Sequence, residues 1–159
     1  MCIRDSFAYT CTASVHAAKA GASTTSVDLS GRYLAWGKES FARNGIALAG
    51  HRFLEEDCLR FASVSTERFD VIFSNPPTYS RSHRMDGDFT VIRDHVEHLR
   101  AVMKRLAPGG VIFFSTHAKG FSLDAEALPE ASLTTGALPA AAALAGGVYH
   151  PVIVNTTPL

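Results

Sequence analysis

The sequence predicts an α/β domain, a Rossmann-like and mostly parallel sheet with helices on both faces. Three observations carry that expectation. Strand-like and helix-like segments alternate from Phe7 to Thr116. The two clearest strands, FDVIFSN (Phe69 to Asn75) and VIFFST (Val111 to Thr116), are continuous apolar runs, as expected of strands covered on both faces. Small or acidic residues then stand where strands end, and open α/β sheets bind ligands at those ends.

The elements follow in order. Tyr9-Thr10-Cys11-Thr12-Ala13 reads as a turn of mostly small residues feeding an Ala-rich helix from Thr12 to Ala20, which Gly21 stops. TTSVDL (Thr24 to Leu29) is a short strand. Ser30 caps a helix running to about Asn44, with Tyr33, Leu34, Trp36, Phe41 and Ala42 near one face. His51 to Leu54 is a third strand closed by acidic residues, and Cys58 to Ala62 is a helical turn. The strand FDVIFSN ends at Pro76-Pro77, where pairing stops. A polar loop from Thr78 to Asp88 precedes an amphipathic helix over Phe89 to Leu106, with Val91, Val96, Leu99, Val102, Met103 and Leu106 as its stripe. Pro108-Gly109-Gly110 separates that helix from VIFFST.

Both ends depart from the pattern. A strand belongs immediately before the first turn, yet the residues there are MCIRDS. That hexapeptide is what ATG-TGT-ATA-AGA-GAC-AG(C/T) encodes, which resembles a transposon-end adaptor of sequencing libraries. Residues 1–6 are therefore expected to be an artefact outside the fold, leaving the first strand incomplete. Residues 7–129 form the partial domain. Residues 130–159 are an unassigned Ala/Gly-rich tail without recognisable sixth and seventh strands, apart from one strand candidate at Val152 to Val154.

Composition narrows the function classes. With 159 residues, 47% of them hydrophobic and 19% charged, the chain is one globular domain at most. Lys+Arg and Asp+Glu both total 15, which argues against binding nucleic acid by net charge alone. No apolar run approaches the roughly 18 residues of a membrane span. Cys2, Cys11 and Cys58 are scattered and form no CxxC pair, so neither a disulfide framework nor a zinc site is expected, and the compartment read from them is cytoplasmic. His95 and His98 lie one helical turn apart without further ligands nearby, and read as polar histidines of an amphipathic helix.

Four features at strand ends carry chemistry. The Tyr9–Ala13 turn can offer backbone N–H groups to a ligand carboxylate. Asp28 can accept from both hydroxyls of a ribose, or serve as the acid before the next helix. Asp57 suits an adenine amino group, or a helix cap. Asn75-Pro76-Pro77-Thr78-Tyr79 can place an Asn amide and a Pro carbonyl at the cleft and a tyrosine ring on a flat base, or simply stop a strand.

Together FAYTCTASVHAAKAGA, VDLS, EDC, FDVIFSNPPTYS, RMDGDF, RDHV, KRLAPGGVIFFS and KGFSLD resemble the class I S-adenosylmethionine-dependent methyltransferases. More narrowly, Phe7 to Pro129 resembles the C-terminal, guanine-N7 half of the bifunctional bacterial enzymes that methylate large-subunit ribosomal RNA. The resemblance implies S-adenosylmethionine as cofactor. Tyr9, Thr10, Cys11, Thr12 and Ala13 would line its methionine part, Asp28 with Leu29 its ribose, and Asp57 with Cys58 its adenine. Asn75, Pro76, Pro77 and Tyr79 would stand between methyl donor and a flipped-out guanine. Arg81, Arg84, Arg93 and Lys119 are candidates for RNA phosphate contacts. The RNA-binding module of the longer enzymes is not recognisable in this chain, and no metal or membrane partner is implied.

Guanine N7 carries a lone pair and no proton, so methyl transfer there asks for positioning and no general base. The sequence departs from the family at Cys11 (usually Gly), Asn75 (usually Asp), Tyr79 (usually Phe) and Thr116-His117 (an Asn pair). Asn75 and Tyr79 lean toward enzymes acting on exocyclic amines, whereas the intervening Thr78 keeps the N7 spacing, which leaves N7 and N2 both open. Cytosine C5 chemistry would want a cysteine near the target ring, and none follows Asn75. A non-catalytic remnant that binds no cofactor is the remaining alternative. A dinucleotide oxidoreductase is disfavoured by the absence of G-x-G-x-x-G.

Overall fold

The computed structural model describes residues 1–83, 85, 87–135 and 152–156. The chain runs β1 (Cys2–Ser6), α1 (Thr12–Lys19), β2 (Ser23–Asp28), α2 (Gly31–Arg43), β3 (His51–Glu55), α3 (Cys58–Val64), β4 (Phe69–Ser74), β5 (Tyr79–Arg81), β6 (Asp88–Thr90), α4 (Val91–Met103), β7 (Leu106–Phe114), β8 (Ala131–Thr135) and β9 (Val152–Thr156). Seven strands form one sheet in the order β3-β2-β1-β4-β7-β9-β8, and β5 with β6 forms a separate hairpin. The first five strands of that order are parallel; β9 runs antiparallel to both β7 and β8. The Rossmann-like, mostly parallel architecture expected from the alternation is therefore present. Strand order reverses between β1 and β4, so the carboxyl ends of β1, β2, β4 and β7 share one rim.

Apolar burial explains the layers. Val27, Ile72, Leu99, Val102, Ile112, Phe114 and Leu128 form the larger core. Val15, Leu34 and Phe41 form a smaller one under α1 and α2. Caps start the helices where expected: Ser30 Oγ accepts from the Tyr33 N–H at 3.3 Å, and Asp57 Oδ1 accepts from Leu59 N–H at 2.8 Å.

Several expectations are corrected. Residues 1–6 do not stand outside the fold: Cys2–Ser6 is β1, the central strand, in parallel register with β2 and β4. Backbone pairing is indifferent to side-chain type, so the strand forms although its composition is wrong for a site covered on both faces. The cost falls on the side chains. Arg4 is fully buried, its guanidinium over the Phe61 ring and one nitrogen donating to Cys58 O at 3.0 Å, while Nε and Nη1 find no partner among the described residues. Burial pulls its pKa down to about 10.

The tail supplies β8 and β9, which complete the sheet edge; the strand candidate at Val152 to Val154 lies within β9. Helix α4 is shorter than its apolar stripe suggested, because Asp88–Thr90 pairs with Tyr79–Arg81. Pro108-Gly109-Gly110 does not precede β7 but lies inside it, at a shift of register opposite Phe69 and Val71. Gly109 has φ +75°, and a Cβ on Gly110 would meet Ala107 O at 2.9 Å and Asp70 O at 3.0 Å, so the irregular turn needs glycine at both positions. His95 and His98 are not surface histidines: both are buried on the inner face of α4. His98 Nε2 pairs with Ser74 Oγ at 2.8 Å, and His95 Nε2 accepts from Asp124 N–H at 3.1 Å. Trp36 faces outward rather than packing with Leu34 and Phe41.

Candidate functional site

The rim is built around the loop from Phe7 to Cys11. Three of its five residues, Phe7, Tyr9 and Cys11, have positive φ (59°, 49° and 59°), a conformation that costs a non-glycine residue about 1–2 kcal/mol. Backbone donors hold it. Phe7 N–H reaches Cys58 Sγ at 3.1 Å, Ala8 N–H reaches Val27 O at 3.1 Å, and Cys11 N–H reaches Ala8 O at 2.7 Å. Tyr9 N–H donates to Asp28 Oδ2 at 2.9 Å, while Asp28 Oδ1 accepts from Ser30 N–H at 2.8 Å. Asp28 thus ties the loop after β1 to the start of α2, and each of its oxygens keeps a lone pair for a further donor. Beyond the loop α1 begins, and among the described residues no acceptor meets the N–H groups of Thr12 and Ala13. The third, Ser14 N–H, turns inward to Asp5 Oδ2 at 3.1 Å.

Cys11 does not obstruct the outer side of this loop. Its side chain is fully buried against Gly37 of α2, and burial pushes its thiol up to about 12, so it stays neutral. A Cβ on Gly37 would overlap Cys11 Sγ and lie 3.0 Å from Cys11 Cβ. Glycine in mid-helix is what admits the cysteine. Gly37→Ala is therefore expected to cost about 1–3 kcal/mol by overpacking, against the usual gain for such a change in a helix. In a Cys11→Gly background the same substitution should become neutral or stabilising, as read by urea denaturation of the four proteins.

Asn75 follows β4 between the ends of β1 and β7. Its N–H lies 3.4 Å from Ser6 O, and its Nδ2 donates to Ser115 Oγ at 2.6 Å. Pro76 is buried, Pro77 is exposed, and Tyr79 in β5 is exposed. Val91 N–H donates to Thr78 O at 3.2 Å, fixing this turn to the first residue of α4. Asp57 sits at the end of the β3 loop as the α3 cap, and Leu29 is half-buried between Asp28 and Ser30. The Cys58 thiol points into the core, donating to Val27 O at 3.2 Å and pushed up to about 12 by burial. The structure therefore gathers Tyr9–Ala13, Asp28, Leu29 and Asn75 on one rim, with Asp57 at the neighbouring strand end.

The cationic candidates separate. Arg93 is engaged by Asp94 at 2.6 Å and Asp88 at 3.1 Å, which compensate its charge. Arg81 and Lys119 are exposed with no acidic partner among the described residues. Arg84 lies outside the described residues. Among the described residues no cluster of three or more His, Cys, Asp or Glu side chains is placed to hold a metal ion, and no helix is long and apolar enough to cross a membrane.

Sequence reasoning missed two features. Tyr9, Tyr33 and Trp36 form an outward aromatic group beside the loop, with ring centroids 4.3 and 5.7 Å apart. Spacing alone puts Tyr33 and Trp36 near the apolar face, and the same spacing also fits the helix edge. Ser115 ends an apolar strand, and nothing in its neighbours announces its bond to Asn75.

No family model matches the chain. Curated relatives do. The chain is 51% identical over 123 residues to the ribosomal RNA large subunit methyltransferase K/L of Psychrobacter sp. (strain PRwf-1), covering 76% of this chain and 15% of that protein. It is 50% identical over 123 residues to the protein of the same name from Psychromonas ingrahamii, covering 77% of this chain and 16% of that one. The chain thus spans about a sixth of the length of these relatives. Among solved structures, the SAM-dependent methyltransferase from Agrobacterium tumefaciens superposes with a TM-score of 0.76 at 20% identity, over 100% of this chain and 56% of that one. SMU.776 complexed with SAH superposes with a TM-score of 0.80 at 24% identity, over 97% of this chain and 45% of that one.

Proposed function

We propose that this chain, homologous to one segment of the large-subunit rRNA methyltransferases K/L and sharing the fold of S-adenosylmethionine-dependent methyltransferases, transfers a methyl group from S-adenosylmethionine to a guanine of large-subunit ribosomal RNA, with N7 as the acceptor. The observation that carries the reading is the Asp28 carboxylate. It is pinned by Tyr9 and Ser30 N–H groups at the rim, with lone pairs left for a diol. The residues fit the cofactor. The unpartnered N–H groups at Thr12 and Ala13 suit its carboxylate, Asp28 beside Leu29 its ribose hydroxyls, and Asp57 its adenine amino group, with the Cys58 backbone alongside. The buried Cys11 thiol leaves the outer face of Tyr9–Cys11 free for the methionine chain.

When bound, the cofactor supplies an electrophilic methyl on a positively charged sulfur. The protein's part is placement. Asn75 with the rigid Pro76-Pro77 turn holds the base edge, and the exposed ring of Tyr79 stacks on the base face. Arg81 and Lys119 serve the RNA phosphates; Arg93, already neutralised, orders the hairpin instead. The partner RNA makes the cytoplasm the place of action.

A second reading, guanine N2 as the acceptor, is favoured by Asn75, a carboxamide at the rim whose oxygen is able to receive an amino group. Cytosine C5 finds no nucleophile, since Cys11 and Cys58 are buried and Cys2 begins β1, at the far end from the rim. The test is transfer of labelled methyl groups to unmodified large-subunit rRNA, followed by nuclease digestion and mass mapping. N7-methylguanosine is the expected product. N2-methylguanosine establishes the second reading. Cofactor binding without transfer to RNA overturns both.

A further inference from the structure

We infer that the rings of Tyr33 and Trp36, joined to Tyr9 at the rim and flanked along α2 by Arg32 and Arg43, form a stacking surface for unpaired bases of the substrate RNA. The inference rests on the proposed methyl transfer to ribosomal RNA and adds a second contact region for that RNA, outside the pocket for the target base.

Helix α2 buries Leu34, Gly37 and Phe41 and turns its opposite side to solvent. On that outer side Arg32, Trp36 and Arg43 follow at spacings of four and seven residues, so they share one helix face over about 16 Å. Both arginines are exposed, and among the described residues neither has a hydrogen-bond or ion-pair partner. Glu39 is the one acid of α2, so its outer side sets two arginines against one carboxylate. The rings stay in water although burying them would be favourable: Tyr9 is 53% and Trp36 45% exposed. Tyr9 meets Tyr33 edge-on at 4.3 Å, and Tyr33 meets Trp36 tilted by 52° at 5.7 Å. Neither contact is a parallel stack, so the rings brace one another while Tyr9 and Trp36 remain open to solvent. Tyr9 N–H also donates to Asp28 Oδ2, which makes the ring group continuous with the rim. Aromatic rings between unpaired arginines match single-stranded RNA: bases of any sequence stack on the rings, and phosphates meet the guanidinium groups. An apolar protein surface would leave both arginines uncompensated, and a second copy of this face would bring two more to it.

Trp36 is the single tryptophan of the chain, so its emission reports on this surface alone. An unstructured single-stranded RNA of about 12 nucleotides should quench that emission saturably. A duplex of the same length should quench it little, because its bases are already stacked on one another. By anisotropy of the labelled single strand, Trp36→Ala should bind about tenfold more weakly, and Trp36→Phe within about threefold of the natural chain. Arg32→Gln and Arg43→Gln should each reduce the slope of log affinity against log salt by about 0.7. Trp36→Ala should leave the affinity for S-adenosylhomocysteine unchanged, which separates a lost RNA contact from a damaged fold. No binding of the single strand, binding that leaves Trp36 emission unchanged, or equal RNA affinity in Trp36→Ala overturns the inference. A doubled sedimenting mass with Trp36 shielded from quenchers overturns it as well, in favour of a second copy on this face. A chain that transfers no methyl group to ribosomal RNA overturns the functional reading instead, and the quenching still decides whether this surface holds single strands.

Discussion

Replacing Asp28 with alanine should weaken binding of S-adenosylhomocysteine by about 100-fold, the equivalent of two charge-assisted hydrogen bonds lost from the ribose. The same change unties Tyr9 N–H and Ser30 N–H, so the Phe7–Cys11 loop loses the side chain that connects it to α2. That loop already carries three residues at positive φ, which persist only while surrounding bonds outweigh their strain. Asp28→Asn is the smaller change. It retains one carbonyl acceptor for the Tyr9 or Ser30 N–H but removes the charge and one of the two ribose acceptors. It should bind about tenfold more weakly than the natural chain and also unfold at a lower urea concentration, since its NH2 faces the Tyr9 or Ser30 N–H that it no longer accepts. Calorimetric titration with parallel denaturation reads both quantities. Equal affinity in all three proteins would remove Asp28 from the site.

Replacing Asp5 with asparagine should reshape the dependence of stability on pH. Asp5 lies in β1 beneath the first turn of α1, accepting from Ser14 N–H at 3.1 Å and Ser14 Oγ at 2.8 Å, and Ser14 Oγ lies 2.8 Å from Ser26 Oγ. Burial is the dominant influence and raises its pKa from 3.8 to about 7, against the opposing Ser14 bonds. Between these values the folded chain holds a proton that the unfolded chain has released. Stability therefore falls as pH rises from about 4 to 7 and levels off above, a loss on the order of 4 kcal/mol. His98 works in the opposite sense. Burial, followed by the Arg4 charge, lowers it from 6.5 to about 3, so the folded chain refuses a proton that the unfolded chain takes. That contribution is present above pH 6.5 and is lost as pH falls. The two slopes oppose each other between about pH 4 and 6.5. In Asp5→Asn only the His98 slope remains, so stability should rise with pH through that window and then hold. The gain over the natural chain should be large at pH 7.5 and small at pH 4.5 in urea denaturation. An equal gain at both would mean that Asp5 is ionised throughout.

The two apolar strands and the residues at their ends were legible because burial on both faces imposes continuous hydrophobicity, and because ligands gather where such strands stop. Asp28 and Asn75 followed from that rule. The central strand was not legible, since Arg4, Asp5 and Ser6 carry no apolar signal and β1 is held by backbone pairing with both neighbours. The histidines of α4 misled for a similar reason: His95 and His98 read as polar, but each is buried with a hydrogen-bond partner. Pro108-Gly109-Gly110 carries the usual signature of a break, and the register shift that absorbs it within β7 exists only in the pairing with β4. The departure at Cys11 does not crowd the ligand side. The gap that receives it belongs to Gly37, on another helix.

The central claim, that this rim holds S-adenosylmethionine, is tested most directly by calorimetric titration of S-adenosylhomocysteine into the chain. One equivalent should bind, with the affinity about 100-fold weaker in Asp28→Ala. No heat from the natural chain, and none from Cys11→Gly, would contradict it.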